Sequence, residues 1–382
     1  MDENIELSPI EKMLFARAAE KRVPIYTAFE LTPYCNLACK MCYVKETEPG
    51  LPVMDGDAWL DIGRQAAQTG TLAVQLTGGE PMLHPDLKKI YAGLRNMGMI
   101  VTMNTNATLI DEDMADFLAA NMPRRMNVSL YGPNREVYQQ LCGVPDAFDK
   151  TIHAIELMQA RNIPVKINIA PNTINFDYLD EMLAICKKYE LPVEMTVYMF
   201  EPIRKSCPGR QGYRLDPQRM AIALEKLDRY RMEEKDMIAR SIFAYRALEL
   251  YDPKNMSDEL MPLSCRAATS TACVCWDGKM NGCVNMPKTR ADVCELGFAV
   301  AWEHVKEYGK TIRVPVKCKQ CPLRMFCQHC FAIDFHENGT FEKVPQIMCD
   351  AAEALAQNLA KNVRMIDRKV RREMPHEDEK ES

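Results

Sequence analysis

Six short β-rich runs are spaced through the stretch from Pro24 to Phe200, and amphipathic segments with helical spacing of their apolar residues separate them. The runs are "PIYTAFEL" (24–31), "LAVQLT" (72–77), "MIVTMNT" (99–105), "RMNVSL" (125–130), "PVKINIA" (164–170) and "PVEMTVYMF" (192–200). Between them lie "DAWLDIGRQAAQ", "DLKKIYAGLRNM", "DEDMADFLAAN", "FDKTIHAIELMQARN" and "FDYLDEMLAICKKY". Strands joined through helices pair in parallel, with crossovers of the usual right hand. The pattern predicts an α/β fold of six such units. A partial barrel and an open doubly wound sheet both satisfy it, and periodicity alone does not choose.

The flanking segments divide the rest of the chain. Residues 1–23 hold one helix, with Ser8 as N-cap, Pro9 at the first helical position and Glu11 completing a capping box. Residues 24–200 form the β/α core. Residues 201–260 begin with the Pro-, Gly- and Arg-rich "EPIRKSCPGRQGYRLDP" and continue as two charged helices between Pro217 and Leu250. Residues 261–350 are rich in cysteine. Residues 351–382 read as a helix followed by a charged tail, "MPHEDEKES", of disordered composition.

No apolar run approaches the ~20 residues of a membrane span, and the acidic start "MDENIELSPIEK" is no signal peptide. The expected location is the cytoplasm. A net charge of −5 offers no electrostatic case for nucleic acid or an anionic membrane. Sixteen cysteines in such a chain point to metal or cluster ligation, because a reducing compartment does not keep disulfides.

The segment "CNLACKMCYV" places Cys35, Cys39 and Cys42 just after the first strand, at the edge where β/α proteins gather their active sites. Three thiolates on one loop suit a cubane iron–sulfur cluster, which takes four ligands. The fourth iron then keeps an open position, as catalytic metal sites do. A zinc site is the alternative for this triplet.

This CxxxCxxC spacing resembles the signature of the radical S-adenosylmethionine (SAM) superfamily, and other segments extend the likeness. "LTGGEPMLHPD" (76–86) is similar to that family's GGEP motif, which implies that Gly78, Gly79 and Glu80 hold the amino group of SAM. "TNATLID" is similar to its "TNGTLL" segment. "VSLYGPNREVYQQLCGVPDAFDKTI" and "VKINIAPNTIN" make Ser129 and Asn168 expected ribose contacts. Tyr131 stands where an aspartate is frequent, and Cys142 where an arginine is common. Met41 fills a position that is often aromatic and packs on adenine.

The C-terminal cysteines follow C-x2-C-x5-C-x2-C within a longer pattern that resembles the SPASM domain of peptide-modifying radical SAM enzymes. That likeness implies a partial (β/α)6 TIM-type barrel with a C-terminal cysteine-rich SPASM domain and two auxiliary [4Fe–4S] clusters. Cys265, Cys283 and Cys330 would hold the first auxiliary cluster, and Cys318, Cys321, Cys327 and Cys349 the second. The first set is one ligand short; Cys273 or Cys275 completes it, or the position stays open. A pair of zinc sites is the alternative reading of the same spacing. Cys186 is expected in the core, and Cys142 and Cys207 near the barrel mouth. His84 is expected to start a helix and His329 to donate to cluster sulfur.

The resemblance implies reductive cleavage of SAM to a 5′-deoxyadenosyl radical, which takes hydrogen from a substrate. The expected substrate is a ribosomally made peptide that is oxidised or cross-linked; the alternatives are a small molecule in cofactor assembly and, from another class, a redox sensor without turnover. A flavodoxin- or ferredoxin-like electron donor is implied. With 23 residues ahead of Pro24, no fused peptide-recognition domain is expected, so a leader peptide would need a separate binding protein. Sulfatase maturation is not expected, because Val284 follows Cys283 where such relatives carry an aspartate.

Overall fold

Each of the six runs forms a strand in the computed structural model, which describes residues 8–203, 212–286 and 289–373. They are β1 (Tyr26–Glu30), β2 (Ala73–Thr77), β3 (Ile100–Thr105), β4 (Arg125–Ser129), β5 (Val165–Ile169) and β6 (Val193–Met195). All five neighbouring pairs are parallel, in sequence order. The result is the partial barrel of β/α units. The last run is shorter than the sequence predicts, because its partner β5 ends at Ile169, opposite Met195. Beyond Met195 the backbone turns to a side chain instead: Gln328 Nε2 donates to Met195 O (2.8 Å), and Val197 N donates to Gln328 Oε1 (3.2 Å).

The sheet has two faces of opposite character. Phe29, Val74, Leu76, Val101, Met103, Met126, Val128, Ile167 and Ile169 are buried against the helices. Phe29 meets Trp59 of the helix Gly56–Thr69, with ring centroids 5.2 Å apart. The alternate positions face the lumen and are polar: Gln75, Asn104, Arg125, Asn127, Ser129, Lys166, Asn168 and Glu194 all border the central cavity. Period-2 alternation sends successive side chains to opposite faces, so one strand can serve both environments.

The cysteine-rich segment continues the same sheet. The short strand β7 (Leu260–Pro262) comes first, followed by β8 (Thr271–Val274), β9 (Lys279–Asn281) and β10 (Ala291–Asp292). β8 pairs parallel with β1, and β9 and β10 follow antiparallel, giving the order β10-β9-β8-β1-β2-β3-β4-β5-β6. β11 (Arg313–Pro315) pairs with β7 apart from it. The long helix Gln346–Glu373 packs on the helices Pro217–Arg231 and Glu234–Leu250.

At the N-terminus, Ser8 Oγ accepts from Glu11 N while Ser8 N donates to Glu11 Oε2, the reciprocal cap the sequence predicts. No described helix is long and apolar enough to cross a membrane. Cys207 and the tail from residue 374 lie outside the described residues.

Candidate active site and cysteine centres

The loop that carries Cys35, Cys39 and Cys42 is held from three sides. Beneath it, Gly79 N donates to Thr32 O (2.8 Å) and Glu80 N to Tyr34 O (2.7 Å). From the side, Ala38 N and Lys40 N donate to Cys142 O and Leu141 O, at the end of the helix Arg135–Cys142. Across the β3 loop, the Asn106 amide donates to Asn36 Oδ1 (2.9 Å) and reaches Cys35 Sγ (3.8 Å). These contacts fix the loop before any ligand arrives.

Glycine at 79 is a steric requirement. A Cβ there would lie 2.2 Å from Tyr34 O, and one at Gly78 would lie 2.7 Å from Thr32 O. The two glycines thus let the turn press directly on the cysteine loop. Glu80 is buried, and it accepts from Thr105 Oγ1 (2.7 Å), Asn106 N (2.8 Å) and Met82 N (3.2 Å). Burial pushes its carboxyl up to about 7, against the pull of those three donors. The carboxylate is thus held by Thr105 and Asn106 of the β3 loop and by Met82 N of its own turn. In that loop Ala107 adopts φ +62°, a left-handed conformation that costs an alanine roughly 1 kcal/mol.

The three thiols open onto one cavity of about 490 Å³, which runs down into the barrel. Gly79, Ser129 and Asn168 line it, with Met41, Tyr131, Tyr198 and Phe200; Gly78 and Glu80 do not. Backbone N–H groups already point at sulfur, from Leu37 to Cys35 (3.4 Å) and from Lys45 to Cys42 (3.3 Å). Donors of this kind stabilise ligating thiolates. Burial pushes the Cys35 thiol up to about 12. Contact with the Cys142 thiol and burial together push Cys39 up. Ligation by a metal would release the protons of these thiols.

The C-terminal cysteines form two further groups. Cys318, Cys321, Cys327 and Cys349 wall one small pocket with His329, Tyr251 and Met348. Cys265, Cys283 and Cys330 pack together against Leu263, Ala267 and Ile312. Burial pushes Cys283 up to about 12, and the charges of Cys330 and Cys265 add to it. Cys273 and Cys275 are buried on β8 and beside its end, and their mutual contact is the first cause that raises Cys273. Among the described residues no three His, Cys, Asp or Glu side chains converge on a single-ion site.

Cys186 is buried in the core of the helix Leu179–Lys188. His84 caps the turn before the helix Leu87–Asn96, where its Nδ1 accepts from Asp86 N (3.1 Å). His329 is paired with buried Asp334 (2.6 Å).

Sequence reasoning missed the deeper lining: Gln75, Asn104, Arg125, Asn127, Lys166 and Glu194. The signal was present. "RMNVS", "VKINI" and "VEMTV" put a polar residue at every second place, whereas strands buried on both faces read as continuous apolar runs.

The family model described as the radical SAM superfamily matches residues 29–186. An AdoMet-dependent heme synthase of Methanosarcina barkeri is 25% identical over 339 residues, 85% of this chain and 95% of that protein. Streptococcus suis SuiB bound to precursor peptide SuiA superposes with a TM-score of 0.63 at 20% identity, over 91% of this chain and 83% of that one. The protein anSMEcpe, with bound AdoMet and the Cp18Cys peptide, gives 0.65 at 17% identity, over 88% and 99%. The two superpositions establish a shared fold.

Proposed function

We propose, from the premise that this chain belongs to the radical SAM superfamily through residues 29–186, that it oxidises its substrate by hydrogen-atom abstraction at the barrel mouth. The observation that carries this reading is the single cavity shared by Cys35, Cys39, Cys42, Gly79, Ser129 and Asn168. Its residues fit a [4Fe–4S] cluster and SAM: one buried and two half-buried thiols, backbone donors aimed at two of the sulfurs, and a volume within the usual ~300–1,000 Å³ of cofactor sites. When bound, the cluster and SAM supply a 5′-deoxyadenosyl radical that takes hydrogen from an unactivated C–H bond.

The protein's own part is aim and dryness. Cys35, Cys39 and Cys42 would hold the cluster. Gly79 would offer backbone to the amino group of SAM, in a turn whose position Gly78 and Glu80 set. Ser129 and Asn168 would hold the ribose, and Met41 a face of the adenine. Tyr43 and Phe200, with rings 5.8 Å apart, close the cavity on the side of Cys283 and exclude water there. Cys318, Cys321, Cys327 and Cys349 would hold one auxiliary cluster, and Cys265, Cys283 and Cys330 another, in a SPASM-like unit over residues 261–350. Such centres can take the electron left behind by the abstraction, and a flavodoxin- or ferredoxin-like donor would supply the reducing electron.

A peptide substrate is supported by the fold shared with two proteins that bind peptides. A separate leader-binding protein and a cytoplasmic setting go with that reading. The likeness to a heme synthase across 85% of the chain favours a second one, oxidation of a small molecule in cofactor assembly.

The test is anaerobic reconstitution followed by reduction in the presence of SAM. The expected outcome is 5′-deoxyadenosine, and its loss in Cys42→Ala. A protein that carries zinc at the triplet and leaves SAM intact refutes the proposal. Deuterium transfer into 5′-deoxyadenosine from a labelled peptide, or from a labelled porphyrin, separates the two substrates.

A further inference from the structure

Cys142 is a thiol beside the barrel mouth that the proposed function leaves without a task. It is fully buried, and it does not line the cavity. It ends the helix Arg135–Cys142, where Gly143 takes φ +73° and turns the chain away. Cys142 O accepts from Ala38 N (2.9 Å), and Leu141 O accepts from Lys40 N (3.0 Å). These two bonds bracket Cys39 and tie its loop along the end of the helix. The Cys39 and Cys142 thiols are in contact there, inside one buried cluster. Cys39 also lines the cavity, so it is the member of the pair that a small molecule in the lumen can reach.

We infer that Cys39 and Cys142 form a reversible dithiol–disulfide pair. In the metal-free protein a low-molecular-weight disulfide links them, and the link withholds Cys39 from metal until a thiol reductant removes it. The Cys39 thiolate attacks one sulfur of the reagent, forms a mixed disulfide and releases one small thiol. Cys142 then attacks the Cys39 sulfur and releases the second. Two protein thiols lose two electrons and two protons, and the reagent takes them up as two thiols.

The placement suits such a pair. A bridge tolerates little misfit, and backbone bonds on both sides of Cys39 already hold its segment against the other. A resolving thiol beside a reactive one makes oxidation recoverable, because the disulfide forms before further oxygen can be added to sulfur. The link would also close a long stretch of chain, which stabilises the protein while it lacks metal. Cys273 and Cys275 touch as well. A bridge there would close a ring too short to constrain the chain, and neither residue lines the cavity. They are an internal control. The inference does not need the radical reading, since any metal bound through Cys39 protects it in the same way.

The experiment uses the full-length chain, stripped of iron by a chelator under reductant, desalted without oxygen and treated with 2-hydroxyethyl disulfide. Remaining thiols are alkylated, and tryptic peptides are mapped by mass spectrometry. The expected product joins residues 23–40 to residues 136–150, and it persists in Cys35→Ser, which assigns the link to Cys39. Its formation should raise the urea midpoint and lower iron uptake on reconstitution by about one cluster's worth, and dithiothreitol should reverse both. Protein reconstituted beforehand should not form the link. Cys142→Ala should stop at the mixed disulfide on Cys39. A bridge within Cys35, Cys39 and Cys42 instead, a reagent cap left on Cys39 in wild type, or an equal yield of Cys273 joined to Cys275 overturns the inference. Should Cys142→Ala fail to fold, the wild-type map and the iron-protected sample still decide. Failure of SAM cleavage would sink the radical reading and leave this thiol map standing.

Discussion

Replacing Gly79 with alanine separates a steric reason for this glycine from a ligand-binding one. The added Cβ would stand 2.2 Å from Tyr34 O, 2.5 Å from Tyr34 C and 2.8 Å from Pro33 O. All three atoms are backbone, so no rotamer change relieves the contact. To open the shortest one from 2.2 Å to 3.0 Å, the turn and the cysteine loop must part by about 0.8 Å. That movement stretches Gly79 N to Thr32 O and Glu80 N to Tyr34 O, bonds now 2.8 and 2.7 Å long. Overpacking against a rigid neighbour costs ~1–3 kcal/mol, and two weakened backbone bonds add ~1 kcal/mol, so a loss of about 3 kcal/mol is expected. Cys35 follows Tyr34 directly, so iron binding should fall together with stability. The assay is urea unfolding of the metal-free protein, paired with iron and sulfide content after anaerobic reconstitution. Gly98→Ala, at a turn where nothing lies within 4 Å, controls for chain stiffening, with its own cost of left-handed φ. If Gly79→Ala unfolds like wild type and loads full iron while losing only SAM affinity, the steric argument is wrong and the glycine serves the ligand alone.

The other predictions concern charge and ligation. Glu80 titrates near 7 in the folded protein, above the ordinary 4.5. Its contribution to stability is therefore complete below about pH 4.5 and is lost as pH rises through 7, a change of about 3 kcal/mol. Metal-free wild type should lose stability from pH 5 to pH 8 more steeply than Glu80→Gln, and equal slopes in urea would contradict this. Cys349→Ser should remove about one cluster's worth of iron while uncoupled 5′-deoxyadenosine formation continues; unchanged iron would show that the pocket of Cys318, Cys321 and Cys327 is not a cluster site. The charge of Cys283 reaches the buried Cys273 thiol and adds to its upward shift. Cys273→Ala should accordingly alter the electron paramagnetic resonance spectrum of the first auxiliary cluster, and Cys275→Ala should leave it as in wild type.

The strands, the helices between them and the N-terminal cap were legible because each is a local pattern: period 2, period 3.6, and Ser-Pro-x-Glu. The end of the sixth strand was not. The run to Phe200 has good β residues, but pairing stops at Met195, where β5 ends, and Gln328 satisfies the backbone from far along the chain. The attachment of β8 to β1 was also hidden, since "TACV" carries no mark of its partner. Within the site, the motif spelled out Gly78, Gly79 and Glu80 but not their division of labour. The packing of glycine on Tyr34 and the turning of Glu80 toward Asn106 depend on loops that meet only in three dimensions.

The lumen shows most clearly what local reading leaves behind. A barrel packed for stability alone fills its interior with layers of branched apolar side chains. Here Arg125, Asn127, Lys166 and Glu194 occupy those positions, and burial works against the charge of Arg125 and Lys166. Lys166 is buried but its partner Glu194 keeps half of its side chain exposed, and an ion pair screened on one side adds little to fold stability. Departures from local rules are expected where function is placed. The hydrogen-bond chain from Gln75 through Asn104 and Asn127 to Arg125 Nε fits that logic, since it commits three amide side chains to ordering polar groups inside the barrel, where apolar packing would have served stability.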